Sequence, residues 1–313
     1  MDEARAPAHS MQTLVRGLTA RRPPRAGSLI VTVFGDVVMP RGGLIATQSI
    51  LDVLGLLGLT PGLVRTALSR LTSDGMFERS RAGRHSFYRL SDEAWARYED
   101  ASAVIYADAR PAWDGGWLVV MLVDGPAAST GAADGDESLR RGLTDLGFAK
   151  AGPALYLRPA NLGQAERRRL DVLLDDRPAL LVDGRGGAIP AGFKATVEGT
   201  WGLADLARGY DQFARRYGPL ATALDRGAPL DDAEALSLRI LVIHDYRLLV
   251  LKDPRLPPEI LPAGWQGEAS RLLCRDLYRR VYAASERWVD AHCTGDHGPL
   301  PPPGGLVLER FGG

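Results

Sequence analysis

Apolar residues recur at helical spacing in the first third of the chain, and the period then changes to that of strands. Ile50, Leu51, Val53, Leu54 and Leu57 predict a helix from Thr47 to Leu57 that ends at Gly58. A second helix starts at Thr60, a good N-cap, with Pro61 suited to its first turn. Leu63, Val64, Ala67, Leu68 and Leu71 fall on one face of it, and Arg65, Thr66, Ser69 and Arg70 on the other, before Gly75 stops it. Two β-rich runs follow, Phe77 to Ser80 and Ser86 to Leu90, joined by Arg81-Ala-Gly-Arg84. They read as a hairpin with a basic tip. Upstream, Ser28 to Val38 is β-branched and would suit a strand, but its neighbours suggest an opening helix, with a turn at Pro40 to Gly43. Helix, helix, helix, hairpin is the order of a winged helix-turn-helix.

The pattern changes again after Leu90. Ser91, followed by Asp92 and Glu93, caps a helix expected to run to about Arg110 as a connector. Trp117 to Asp124 reads as a buried strand, Gly125 to Asp136 as a loop, and Glu137 to Leu146 as a helix. Short strands lie around Gly152-Pro153, Asn161 is expected to cap a helix from Gln164 to Leu174, and Pro178 to Val182 is a last strand. The order β-α-β-β-α-β is ferredoxin-like. From Phe193 the chain turns helical, in Leu203 to Tyr217, Ala233 to Val250 and Glu268 to His292, with a proline-braced loop at 254–267. The fold class expected is α+β. Its parts are an arm at 1–25, a winged domain at 26–95, a connector at 96–112, a ferredoxin-like domain at 113–192, a helical C-terminal domain at 193–293 and a loose tail at 294–313.

Composition sharpens this reading. The chain has 313 residues, 45% hydrophobic and 24% charged, with 38 basic against 38 acidic residues. A balanced total argues against a surface that coats nucleic acid throughout, so the distribution matters more. Residues 61–90 hold six arginines against only Asp74 and Glu78. The basic excess therefore sits on the predicted helix and hairpin. Cys274 and Cys293 form no CxxC pair and no zinc-ligand spacing. No apolar run reaches membrane-spanning length and residues 1–10 lack a signal-peptide core, so a cytoplasmic protein that does not engage membrane is expected. The Arg/Pro-rich arm ending at Arg25 reads as a solvated terminus, although a basic arm can also reach a DNA groove.

Double-stranded DNA is the partner this charge pattern fits. Arg65, Thr66, Ser69 and Arg70 would enter the major groove, where arginine pairs with both acceptors of guanine. Arg81, Arg84 and His85 at the hairpin would meet phosphate or the minor groove, flanked by Arg79 and Arg89. Read singly, each of these is also consistent with a solvated surface charge. Enzyme motifs are missing: there is no G-x-S-x-G, and Asp183-Gly-Arg-Gly-Gly-Ala lacks a Walker lysine. Asp124 and Asp183 read as strand-end turn residues rather than metal ligands. No catalytic activity, metal or cofactor is expected.

The segments P40-R-G-G, L63-V-R-T-A-L-S-R-L71 and R84-H-S-F-Y-R-L90 resemble the PaaX-type repressors of phenylacetic acid catabolism. So do W113-D-G-G-W, L139-R-R-G-L-T-D-L-G-F148, I243-H-D-Y-R247, D253-P-R-L-P-P-E-I-L-P-A-G-W265 and R275-D-L-Y278. The resemblance covers roughly residues 26–292. It implies a homodimeric transcription repressor with a winged domain, a ferredoxin-like (Cas2-like) middle domain and a helical C-terminal domain. It also implies release from the operator by phenylacetyl-CoA or another acyl-CoA effector. Such a thioester needs cations for its phosphates and an aromatic-lined pocket for its acyl end. His244, Tyr246, Arg247 and Trp265 are the candidates. A His-Asp-Tyr-Arg cluster inside an apolar helix reads equally well as a buried polar network that fixes helix packing.

Overall fold

The computed structural model describes residues 17–18, 25–110, 112–123, 133–185, 191–307 and 309–312. The protein mixes helices with small antiparallel sheets, so the α+β class is what it shows. The apolar stretch at its start is helical: α1 spans Ala26–Val33 and runs on through a π-turn, Phe34–Val38, and a 3-10 turn, Met39–Arg41. Burial on several sides overrides the β propensity of the branched residues, since Leu29, Ile30, Val33, Phe34 and Val38 are all fully buried. Gly42 and Gly43 then reverse the chain at positive φ. A Cβ on Gly43 would also sit 3.0 Å from the Trp95 ring.

The next elements are β1 (Leu44–Ala46), α2 (Thr47–Leu56), α3 (Pro61–Ser73), β2 (Phe77–Ala82), β3 (His85–Leu90) and α4 (Asp92–Ile105). The Thr60 hydroxyl accepts from Leu63 N, and Ser91 does the same for Ala94 N. Both predicted caps are therefore present. β3 lies between β1 and β2, antiparallel to each. The hairpin is longer than expected, pairing as far as Ala82 with His85. Helix α4 is shorter and stops at Ile105 rather than near Arg110. Tyr106 leaves the helix because its groups are engaged elsewhere: its hydroxyl donates to Asp36 at 2.8 Å and its carbonyl accepts from Phe311 N at 2.8 Å.

The middle of the chain forms β4 (Gly116–Leu122), α5 (Ala133–Asp145), β5 (Ala149–Lys150), β6 (Leu155–Pro159), α6 (Gln164–Leu174) and β7 (Ala179–Arg185). Helices α7 (Ala191–Thr200), α8 (Leu203–Asp225), α9 (Asp232–Val250) and α10 (Gly267–His292) follow, and a short hairpin, β8 (Thr294–Gly295) and β9 (Gly298–Pro299), comes next. By packing, the chain divides into two compact units. One comprises residues 1–108, 212–248 and 268–313, the other residues 109–211 and 249–267.

In the second unit the strands lie in the order β5-β6-β4-β7, all antiparallel. Leu118 and Val120 from one sheet face pack with Leu139 and Leu143 of α5, Leu146 just after it, and Leu170 of α6. Asn161 does not cap α6. Gly163 holds the N-cap position, and its N–H donates to Glu166 Oε2 at 2.9 Å. Asn161 is instead engaged with the buried Arg158, whose guanidinium donates to Asn161 Oδ1 at 2.9 Å, and it donates to the Arg255 carbonyl at 3.0 Å. Asp183 lies in β7, 2.8 Å from Arg167, and Asp124 lies outside the described residues.

In the first unit the described residues after His292 are packed rather than loose. Leu300 and Phe311 are buried, and Arg310 is 6% exposed. Gly304 N donates to the Pro40 carbonyl at 2.8 Å. The tail expected to be loose is, in its described residues, bonded to the rest of the unit.

Candidate nucleic-acid interface

Helix α3 and the hairpin after it belong to one continuous stretch of the first unit. Val64 and Leu68 bury the inner face of α3, while Ala67 and Leu71 are half-buried. Leu63, expected on that face, is 51% exposed. The buried apolar stripe is narrower than the sequence suggested, with Val64 and Leu68 at its centre. On the outer face Arg65, Thr66, Ser69 and Arg70 are all exposed, as predicted. Thr66 donates its hydroxyl to the Gly62 carbonyl at 3.0 Å.

Arg79, Arg81, Arg84, His85 and Arg89 are exposed on the hairpin. Two of these arginines have side-chain partners. Arg79 donates to Ser86 Oγ at 2.8 Å, and Arg89 pairs with Glu78 at 2.5 Å across the two strands. Arg65, Arg70, Arg81 and Arg84 have no hydrogen bond or ion pair among the described residues. The stretch thus presents unneutralised cations on one helix and one hairpin tip, an arrangement able to contact phosphate and base edges.

The other predicted site residues fall elsewhere. His244 and Arg247 lie on α9 and face α1. His244 Nδ1 is 2.9 Å from Thr32 Oγ1, and Arg247 donates to Thr32 Oγ1 at 2.7 Å and to the Ser28 carbonyl at 2.8 Å. Burial, reinforced by the charges of Arg247 and Arg216, lowers the His244 pKa to about 3, so the ring is neutral. Tyr246 is buried, its ring 5.9 Å from that of Phe213. Their neighbour Asp245 accepts from Arg216 and from the Tyr217 hydroxyl, both at 2.8 Å. Trp265 belongs to the second unit. Its ring meets Tyr210 edge-on at 5.6 Å, and its buried indole N–H has no acceptor among the described residues.

Sequence reasoning missed a second polar cluster in the first unit. Asp36, 1% exposed in the π-turn, accepts from Tyr106, from Arg239 Nε at 2.7 Å and from Arg310 at 2.9 Å. Arg239 also donates to Glu286, which accepts in turn from Arg41, and Arg41 pairs with Asp290 at 2.8 Å. The signal available was an aspartate inside the apolar run from Ser28 to Val38, and an arginine between Leu238 and Ile240. A charge at such a position needs a partner.

Both cysteines are buried and free, with burial pushing the Cys293 thiol up to about 12. Among the described residues there is no cluster of side chains fit to hold a metal ion, and no helix is long and apolar enough to cross a membrane.

Comparison with known proteins places this surface in context. Residues 25–94 match the family described as PaaX-like protein, and residues 201–291 match the PaaX-like protein C-terminal domain. The transcriptional repressor PaaX of Escherichia coli strain K12 is 35% identical over 306 residues, 97% of this chain and 95% of that protein. The uncharacterized protein Rv0674 from Mycobacterium tuberculosis shares the fold at a TM-score of 0.52 and 20% identity, over 84% of this chain and 97% of its own. The class to which these relatives point is a transcription regulator. The chain belongs to the PaaX family of transcriptional repressors.

Proposed function

We propose that the protein represses transcription by binding a palindromic DNA operator as a homodimer, and that an aryl-CoA thioester such as phenylacetyl-CoA releases it. In this reading residues 26–95 act as a winged helix-turn-helix, with α3 as the recognition helix and β2–β3 as the wing. The second unit's β-α-β-β-α-β order and strand arrangement support a ferredoxin-like, Cas2-like middle domain. The observation that carries the proposal is the set of exposed, unpartnered arginines on α3 and the hairpin tip, in a chain of a repressor family. Two copies related by a twofold axis would set two α3 helices on half-sites separated by whole turns of DNA.

Arg65 stands in the second turn of α3, and the N-terminal part of a groove-bound helix is what meets base edges. Replacing it with alanine is expected to abolish specific operator binding while leaving the dimer folded. A gel shift with unchanged affinity would refute the assignment.

For the effector, the buried contacts of His244 and Arg247 suggest a route for release. Arg247 holds Ser28 and Thr32 of α1, and α1 packs against α3. A ligand phosphate that drew Arg247 away would loosen the support beneath the recognition helix. Phenylacetyl-CoA is expected to raise the melting temperature and dissociate the operator complex, with free CoA and acetyl-CoA as controls. Should no aryl- or acyl-CoA act, the effector assignment falls and the DNA-binding assignment stands.

A further inference from the structure

Helix α3 carries one large apolar side chain on its solvent side. Leu63 is 51% exposed, while Val64 and Leu68 are fully buried. An isolated exposed leucine is ordinary on a protein surface. This one sits in the first turn of the helix, and Thr66 and Arg70 follow at i+3 and i+7, so the three share one stripe. Thr66 is exposed and its hydroxyl donates to the Gly62 carbonyl at 3.0 Å, so the methyl is the group on this side chain with no partner within the helix. Arg65 and Arg70 flank the pair without partners among the described residues, and their charge complements phosphate and guanine acceptors.

Two adjacent apolar groups at the leading end of a cationic helix match one feature of the major groove. Thymine displays a C5-methyl there, the only methyl group on any of the four bases. We infer that Leu63, with the Thr66 methyl, is a specificity-determining contact for a thymine C5-methyl in each half-site. This rests on α3 being the DNA-reading helix and adds to it a base preference that arginines alone do not give. The arginines read guanine by hydrogen bonds, and Leu63 reads thymine by excluding water from a methyl group.

The test uses the full-length protein and a pool of random DNA duplexes, from which repeated binding enriches a consensus. That consensus is then made with uracil in place of each thymine in turn, which deletes the methyl and nothing else. At one thymine per half-site, uracil is expected to weaken wild-type binding about fourfold, the effect of one buried methyl. Leu63→Ala is expected to melt at the wild-type temperature and to bind the thymine and uracil duplexes equally at that position. Uracil tolerated everywhere by the wild type, or a Leu63→Ala protein that keeps the full preference, would overturn the inference. A pool in which the wild type enriches no sequence would instead overturn the DNA-reading proposal on which it rests.

Discussion

Arginines do opposite things in two regions of the first unit. Around Asp36, Arg239 and Arg310 are buried and bonded: Arg239 donates to Asp36, Ser285 and Glu286, and Arg310 to Asp36, Tyr278 and the Gly35 carbonyl. On α3 and the hairpin tip, Arg65, Arg70, Arg81 and Arg84 are exposed and donate to nothing among the described residues. A buried guanidinium without acceptors would be ruinous, so the first group is explained by the fold itself. The second group adds nothing to the fold that the structure shows. The difference separates arginines that serve folding from those left over for a partner, and neither composition nor spacing makes that distinction.

The largest effect is expected where the comparison is most easily broken. Asp36→Ala removes the carboxylate shared by Arg239, Arg310 and Tyr106 and leaves buried cations uncompensated. A loss of about 3–5 kcal/mol is expected, the usual cost of removing one partner from a buried pair. Urea unfolding monitored by circular dichroism measures it. Arg310→Ala, at the other end of the same contact, is expected to cost nearly as much. An effect of Arg310→Ala below about 1 kcal/mol, in the range of exposed pairs, would show that the residues after His292 are not part of the core.

What was legible in the sequence was local. Thr60, Pro61 and Gly75 announced the limits of α3, and two β-rich runs joined by Arg81-Ala-Gly-Arg84 announced the hairpin. These signals act within a few residues, and the physics that fixes them is equally short-ranged. The α+β class and the strands of the second unit were readable for the same reason. The clamp on Asp36 was not, because its arginines lie 203 and 274 residues away along the chain. The sequence could show only that Asp36 and Arg239 sat among apolar neighbours. For His244 and Arg247 the sequence left a ligand set and a buried polar network equally open, because Ser28 and Thr32, which they touch, come from α1. Leu63 was misassigned because a stripe of apolar residues gives the centre of a buried face better than its edges.

A smaller effect sharpens the comparison by titration. The His244 ring is kept neutral by burial and by the nearby Arg247 and Arg216 charges, its pKa lowered to about 3. In the unfolded chain the same ring takes up a proton near pH 6.5. Between those values the unfolded state binds the extra proton, so stability falls as pH falls. Above that window His244 contributes no pH dependence. One pH unit below the unfolded value the loss from this group is about 1.4 kcal/mol. Because other groups titrate in the same range, the measurement is a difference. Unfolding free energies of the wild type and of His244→Gln, taken from pH 7.5 to 5.5, should converge as the pH falls. Parallel curves would mean that the ring is not buried as a neutral group.

The smallest effect on stability is expected at the hairpin tip, where the comparison meets function directly. Arg81 and Arg84 are exposed and unpartnered, so each alanine substitution should change stability by less than about 0.5 kcal/mol. If these side chains neutralise phosphates, each substitution should also reduce the dependence of operator affinity on salt. The slope of log K against log salt should become shallower by about 1 per residue, with a similar change on specific and random duplexes. Arg89 provides the internal control, since it is paired with Glu78 at 2.5 Å on the same hairpin. An unchanged slope in the Arg81→Ala and Arg84→Ala proteins would mean that an arginine without a partner in the free protein also has none in the complex. The tip would then be solvated surface, and α3 would have to supply the charge for DNA binding by itself.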